Sequence, residues 1–307
     1  MRTKNPNAIR DSRSDKVLYF MSGAALLFFT AIVLYPLIYI LSCSFSDGTA
    51  VSTGRFLLWP VKPSLKGYEA VFVYDRVLTG YINTIFYTVA GTVINLFLTL
   101  ITAYPLAMPG FQFKKAYLLL FTFTMFFSGG LVPSYLLMSE LRLVNTVWAM
   151  LLPGAMSVYN MIVTRTYFQN NIPESLFEAA RIDGSSEFGI FFKIVLPLSA
   201  PIIAVITLYY AVSHWSSYFS AMIYITDVDL HPLQVILRKI LIMNETAFDT
   251  ALESGSAESI KNAARQAHLA LTMKYSLVFI ASAPMLIMYP FVQKFFVKGI
   301  MVGFLKG

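Results

Sequence analysis

Two groups of residues in this 307-residue chain have types and spacings suited to chemistry. The first runs from Pro173 to Pro201. Pro173 stands where a helix can begin, and Glu174 in the first turn complements the helix dipole. Pro173, Leu176, Phe177 and Ala180 fall at i, i+3, i+4 and i+7, a narrow apolar stripe. Gly184 can supply the left-handed residue that stops the helix. Ser185 can cap a second helix, on which Phe188, Phe191, Phe192 and Val195 repeat the same spacing. Pro197 and Pro201 bracket its far end. The expected object is a short helix–turn–helix, apolar enough on one side to dock into a groove.

The second group is a polar, aromatic window from Tyr209 to Tyr218 that holds His214, Trp215, Ser216 and Ser217, together with Tyr159 and Asn160 in an earlier stretch. Aromatic faces cover C–H surfaces, and hydroxyls, amides and imidazoles bond hydroxyl groups. Asn160, Tyr209, His214, Trp215 and Tyr218 are therefore candidates to line the path of a polyhydroxylated solute. Hydrogen bonding between helices accounts for the same residues equally well. His214 by itself reads as a packed, hydrogen-bonded side chain rather than a proton relay.

Other chemistries find little to work with. The chain carries no Gly-x-x-x-x-Gly-Lys-[Ser/Thr] phosphate loop, and the dipeptide Gly-Lys does not occur. It has no His-Glu-x-x-His, and its single cysteine, Cys43, allows no internal disulfide. The 26 Phe and 18 Tyr read as lipid-facing or interfacial residues rather than a cofactor box, so no cofactor is expected in this chain.

The elements that must position these residues are set by the bilayer. Hydrophobic residues make up 57% of the chain and charged residues 13%, with a mean hydropathy of +0.66. That charged fraction is about half the soluble norm. Charge-free stretches cover Val17–Ser46, Val77–Phe113, Ala116–Ser139, Leu143–Thr164, Ile194–Thr226 and Tyr275–Gln293. Each can hold one crossing of about 20 residues. The expected architecture is all-α and polytopic, one membrane domain over residues 1–307, with six spans near 17–42, 78–106, 116–138, 145–165, 198–223 and 275–293. The first stretch is too long for a signal-peptide core, and Ser42-Cys43-Ser44 is a poor cleavage site, so it reads as a retained helix.

Charge sets the orientation. With the N-terminus inside, the cytoplasmic segments hold 13 Lys/Arg against 6 Asp/Glu, and the outer ones 10 against 10. The net +7 lies wholly on the cytoplasmic side, as the positive-inside rule requires. The basic balance is thus a topology signal and calls for no nucleic acid. Both termini are expected inside, with a cytoplasmic loop at 166–197 and outer loops at 43–77 and 224–274. Within the last, Asn244–Leu252 and Ser256–Met273 have helical character, which suits either an external contact or a solvated cap. The charge-free stretches that form the spans hold no Asp, Glu, Lys or Arg, and Arg165 stands just past the end of the fourth. A stand-alone ion-coupled transporter usually keeps such groups in the membrane, so any uphill transport would draw its energy from a partner.

The run Glu178-Ala179-Ala180, three residues, Gly184, nine residues, Ile194-x-Leu196-Pro197 resembles the cytoplasmic coupling loop of bacterial ABC-importer permeases. The resemblance extends to Asn83-Thr84, Tyr104-Pro105-Leu106, Pro232-Leu233-Gln234 and the ending Gln293–Gly299 through Leu305-Lys306-Gly307. Asp183 before Gly184 is common in the sugar-importer branch, and the ending looks like the smaller permease subunit of maltose-type importers, nearest those for complex oligosaccharides.

This resemblance implies the type I importer-permease fold, a second permease subunit, a dimer of ATP-binding cassette ATPases carrying ATP and Mg, an external solute-binding protein and an oligosaccharide cargo. It assigns ATPase coupling to Glu178, Ala179, Ala180, Asp183, Gly184, Phe188, Ile194, Leu196 and Pro197, and an ATPase-contacting tail to Lys306 and Gly307. Glu178 would meet a base in the ATPase cleft, and the chain itself would hydrolyse nothing. Permeases for a peptide or phosphate are the alternative within the class; a secondary transporter and a membrane enzyme are those outside it. Glu178→Lys should then uncouple ATP hydrolysis from uptake or weaken assembly, because the loop would meet its cleft with the wrong sign. Normal uptake by that variant, in a complex of normal yield, would refute the assignment.

Overall fold

The structure, a computed structural model, describes residues 12–53, 58–73, 76–240, 242 and 257–304, with the backbone only at 257–267, 292 and 294–304. The tail residues Lys306 and Gly307 and the segment Asn244–Leu252 lie outside the described residues. The described regular elements are all helical. The chain divides into two compact units.

The first unit takes Met1–Val71 and Asn244–Phe279. Its long helix α1 (Arg13–Ser44) opens on a capping box, in which the Ser12 hydroxyl accepts from Asp15 N–H and the Asp15 carboxylate accepts from Ser12 N–H. Only Ser42, Cys43 and Ser44 of α1 are buried; Tyr39 and Ile40 are half-buried, and the apolar side chains from Val17 to Ile38 are exposed, as a lipid-facing helix requires. Two short helices follow, α2 (Gly48–Ser52), capped by Asp47, and α3 (Lys66–Phe72). Gly67 on α3 lies so near the last helix (Ala257–Phe304) that a Cβ there would sit 2.6 Å from Ser276 Oγ.

The second unit, Phe72–Met243 with Ile280–Gly307, is organised around α4 (Arg76–Ala107). The buried face of α4 runs Gly80, Thr84, Thr88, Gly91, Asn95, Thr99 and Ala103, while Ile82, Ile85, Val89, Val93 and Phe97 face outward. A soluble helix does the reverse. In lipid, apolar side chains gain nothing by hiding, and small or polar ones let helices approach and bond. After α4 come α5 (Lys114–Phe126), α6 (Leu131–Glu140), α7 (Trp148–Leu151) and α8 (Val158–Asn171). Next are α9 (Glu174–Ile182), α10 (Glu187–Ile190), a π-turn (Phe191–Val195) and the one-turn α11 (Leu196–Leu198). Then α12 (Ala200–Trp215) and α13 (Tyr218–Tyr224) complete the bundle. Beyond α13, the segment before residue 233 is strapped to the start of α4. Asn83 donates to the Asp229 and His231 carbonyls, Tyr87 donates to the Leu230 carbonyl, and Arg76 pairs with Asp229.

The spans differ from the simple sequence expectation in one consistent way: several are broken. Among the described residues three helices are long and apolar enough to cross a membrane, or five if two bent pairs each count as one span. The stretch expected at 116–138 is α5 and α6, bent by 112° across Phe127–Gly130, where Gly130 has φ +84°. That expected at 198–223 divides at Ser216-Ser217, and its entry bends by 81° at Ser199, just before Pro201. The stretch expected at 145–165 is α7 and α8, of 4 and 14 residues, neither long enough to cross alone. Its interruption lies at Pro153-Gly154, where Gly154 has φ +72°. The outer helix expected to end at Met273 instead runs unbroken into the last span, as far as Phe304.

Helices α4 and α12 approach closely at a glycine. Gly91 lies against His214 of α12, and a Cβ at residue 91 would fall 2.4 Å from the imidazole. Gly91→Ala should therefore cost about 1–3 kcal/mol as overpacking and lower the denaturation midpoint of the purified protein in detergent; an unchanged midpoint would contradict this packing.

Candidate functional site

The loop segment is built as an inward-facing wedge with a separate outward face. On α9, Phe177 and Ala180 are buried. They join Ala103 and Leu106 of α4, Met161 and Phe168 of α8, and Ile190, Phe191 and Val195 in one apolar cluster. The stripe seen in the sequence thus docks into this chain's own bundle rather than presenting itself to a partner. What faces out is the other side: Glu178, Ala179, Asp183 and Ile182, the last 86% exposed. Gly184 has φ +76° and ends α9, as expected. Nothing lies within 4 Å of where its Cβ would be, so backbone conformation rather than crowding selects glycine.

The second half of the loop corrects two expectations. Its cap is Ser186, whose hydroxyl accepts from Gly189 N–H, not Ser185. Its apolar register also shifts. Phe191 and Val195 are buried, but Phe188 is 72% exposed and Phe192 is exposed too. Beyond Phe191 the period itself changes in a π-turn, where Leu196 N–H reaches back to Phe191, one residue further than in an α-helix. Pro197 follows at once; in an α-helix its ring would meet the Lys193 carbonyl. Ile194 and Leu196 are half-buried against the cluster, and Pro197 is exposed.

Sequence reading missed Glu187. Its carboxylate accepts from the Tyr104 hydroxyl of α4 at 2.8 Å and from Arg181 Nε of α9 at 3.0 Å, tying both halves of the loop to the end of α4. The available signal was symmetry, since Arg181 and Glu187 stand three residues either side of the turn glycine. That end of α4 is further held by Arg165, Gln169 and Lys114, which donate to the carbonyls of Leu106, Ala107 and Met108. Cations and amides on the last carbonyls of a helix satisfy its orphan acceptors and its dipole.

The polar window resolves into two environments. A cavity of about 420 Å³ lies where the broken helices meet, lined by Asn95, Ser157, Asn160, Tyr209, Ser213 and His214 among others. Three of the five candidate path residues, Asn160, Tyr209 and His214, line it. Trp215 and Tyr218 do not. Trp215 is buried, donates from Nε1 to the Ala281 carbonyl at 2.8 Å and meets Tyr81 edge-on. Tyr218 lies under the Arg238 guanidinium. Both make contacts between segments of the bundle, of the kind the second reading open in the sequence expects.

Asn95 and Tyr210 organise the cavity wall, and the sequence reading passed over Asn95. Its Nδ2 donates to the Gly154 carbonyl, 3.0 Å away, at the break between α7 and α8, and its Oδ1 lies 3.0 Å from His214 Nε2. The Tyr210 hydroxyl shares a hydrogen with Thr99 Oγ1 at 2.6 Å and accepts from Ser157 N–H. Both sides of the Pro153-Gly154 break are thereby bonded inside protein, the condition for irregular backbone at membrane depth. An amide midway along a charge-free span was the signal available in the sequence.

A helical membrane bundle with a polar cavity among broken spans, and a loop helix offering one face outward, defines a solute permease. The chain belongs to the family of binding-protein-dependent transport system inner membrane components, whose pattern matches residues 71–302. The polygalacturonan/rhamnogalacturonan transport system permease protein YtcP of Bacillus subtilis is 38% identical over 282 residues, 92% of this chain and 96% of that protein. Protein LplC of the same organism is 38% identical over 277 residues, 90% of each chain. Among solved structures, a chain from the crystal structure of a bacterial ABC transporter involved in the import of the acidic polysaccharide alginate has a TM-score of 0.81 and 34% identity. That match covers 94% of this chain and 100% of the other.

The Tyr104 hydroxyl, and with it Arg181, holds the Glu187 carboxyl below the ordinary carboxylate range, against a smaller opposing effect of burial. A lowered folded-state pKa stabilises above the unfolded value and stops doing so as pH falls through the lowered one. With the Arg181 pair half exposed, the ion-pair share is about 1 kcal/mol at most. Glu187→Gln should speed hydrogen exchange of the amides of residues 182–190 at neutral pH, and the difference from wild type should vanish on acidification below the carboxylate range. A difference unchanged in acid, or none at neutral pH, would exclude this role.

Proposed function

We infer that this chain is one membrane-spanning half of an ATP-driven, binding-protein-dependent importer of oligosaccharides. The observation that carries the reading is the two-sided build of α9 and its C-cap: one face locked into the bundle core, the other exposed with Glu178, Ala179, Ile182 and Asp183. A loop anchored in this way moves its bundle when something moves it. The fitting mover is a dimer of ATP-binding cassette subunits, with ATP and Mg held there and no cofactor in this chain. Glu178, Ala179, Asp183 and Gly184 form the docking face; Ala180, Ile194 and Leu196 fasten it to the bundle, with Phe188 and Pro197 at its edge. Lys306 and Gly307 would extend the contact from the C-terminal tail. Both termini and this loop face the cytoplasm, in keeping with the basic balance of those segments.

The cargo assignment is supported by the cavity and by the relatives. Asn160, Tyr209 and His214 offer an aromatic face and hydrogen-bonding groups, the chemistry a saccharide needs. The names of YtcP and of the alginate importer are those of saccharide transport. ATP binding would draw the loops of this subunit and of a second permease together, rocking the bundle toward the outside to receive sugar from an external binding protein, and hydrolysis would reset it.

Purification from native membranes in mild detergent tests the assembly. A second permease and a pair of ATPase subunits should accompany this chain, with hydrolysis stimulated by saccharide and binding protein. A chain recovered alone, with no ATPase even after crosslinking at residue 178, would overturn the proposal.

A further inference from the structure

The cavity lining holds hydroxyls, amides and aromatic rings, and no Lys, Arg, Asp or Glu is among its residues. Its ionisable nitrogen heterocycle is His214, and the surroundings fix where that ring carries hydrogen. Asn95 donates through Nδ2 to the Gly154 carbonyl, and a carbonyl can only accept. The amide therefore cannot be turned round, and the atom facing His214 Nε2 is the acceptor Oδ1. Two acceptors 3.0 Å apart would repel, so Nε2 carries the hydrogen and donates. The ring is also held in place from behind, because α4 leaves room for it only at Gly91. No carboxylate lines the cavity to pair with an imidazolium, and an unpaired cation at membrane depth is costly. In the neutral ring with hydrogen on Nε2, Nδ1 is a bare lone pair.

We propose that His214 offers Nδ1 to the cavity as a hydrogen-bond acceptor for a hydroxyl of the passing saccharide, with Asn95 as the positioning residue that selects the tautomer. The proposal rests on the saccharide reading above and adds a charge rule to it. A lone pair takes O–H from a hydroxyl and repels a carboxylate. This subunit therefore reads the uncharged, hydroxyl-bearing face of its cargo, and Ser213, Ser216 and Ser220 on the same wall can give or take hydrogen as that face demands. Where the cargo carries uronate groups, their charge has to be met by another chain or by water.

Solid-state nitrogen-15 spectra of the whole complex in lipid, with histidine labelled, test this directly. Subtracting the spectrum of His214→Gln isolates the ring. The expected difference shows a neutral imidazole protonated at Nε2 and bare at Nδ1, and in Asn95→Leu the two tautomers mix. A wild-type ring protonated at Nδ1, or an imidazolium at neutral pH, overturns the proposal even if Asn95→Leu fails to assemble. A spectrum unchanged by Asn95→Leu overturns the role of Asn95.

Uptake of a pectin digest, which contains neutral and uronate segments, into proteoliposomes supplies the second measurement. His214→Gln keeps an acceptor and should stay within about threefold of wild type, whereas His214→Leu should fall about tenfold, the scale of one lost hydrogen bond. Equal uptake by the two overturns the hydroxyl contact. Wild-type vesicles that take up none of the digest overturn the saccharide reading itself, whereas a ring protonated at Nδ1 in vesicles that do transport overturns this inference alone.

Discussion

Everything in the second unit leans on the absence of water at membrane depth. A hydroxyl, amide or broken helix end inside the bilayer must find its partner within the protein or border a wet cavity. Helix α4 is where that demand is met. Its buried face offers small residues for close approach and Thr or Asn for bonding, and the helices that pack on it do so through those groups. The Pro153-Gly154 break is tolerable because Asn95 takes the Gly154 carbonyl and Tyr210 takes Ser157 N–H. The cavity is thus less a hole left by poor packing than the place where backbone departs from helix and is still paid back in hydrogen bonds.

The same helix joins the two candidate sites. Tyr104, near the end of α4, is bonded to the loop through Glu187, and Asn95, about 13 Å back along the axis at 1.5 Å per residue, is bonded to the cavity wall. Between them Thr99 holds Tyr210. Loop and cavity are therefore fastened to one stiff rod rather than to separate flexible pieces. A tilt of that rod would alter both together, which is the physical content of coupling between sites.

Charge-free runs betrayed the membrane class, because the cost of an unpaired charge in lipid is large enough to be written into composition. Gly184 was legible for a similar reason, since few residues accept its dihedral angle. The breaks were not. Pro153-Gly154 and Phe127–Gly130 read as flanks of spans, and at the first the partners that cap the freed backbone, Asn95 and Tyr210, lie far away in sequence. The outward placement of Phe188 and Phe192 was hidden too, because spacing marks a stripe but not which of its members the neighbouring helices cover. Trp215 looked as suited to a sugar as Tyr209. What its spacing could not announce is the Ala281 carbonyl that takes its indole N–H.

Helix α1 is exposed along nearly all its length and opens on its own capping box, so it asks nothing of later segments in order to rest in lipid. Helix α4 is the opposite case: its threonines and Asn95 are matched by groups on α8 and α12, which are synthesised after it. Biogenesis is therefore ordered by the sequence of the helices. An early anchor can settle at once, while a polar-striped helix has to be sheltered by the insertion machinery or by water until its mates arrive. Errors in making this protein should accumulate during that wait, after insertion of the first helix and before assembly of the bundle.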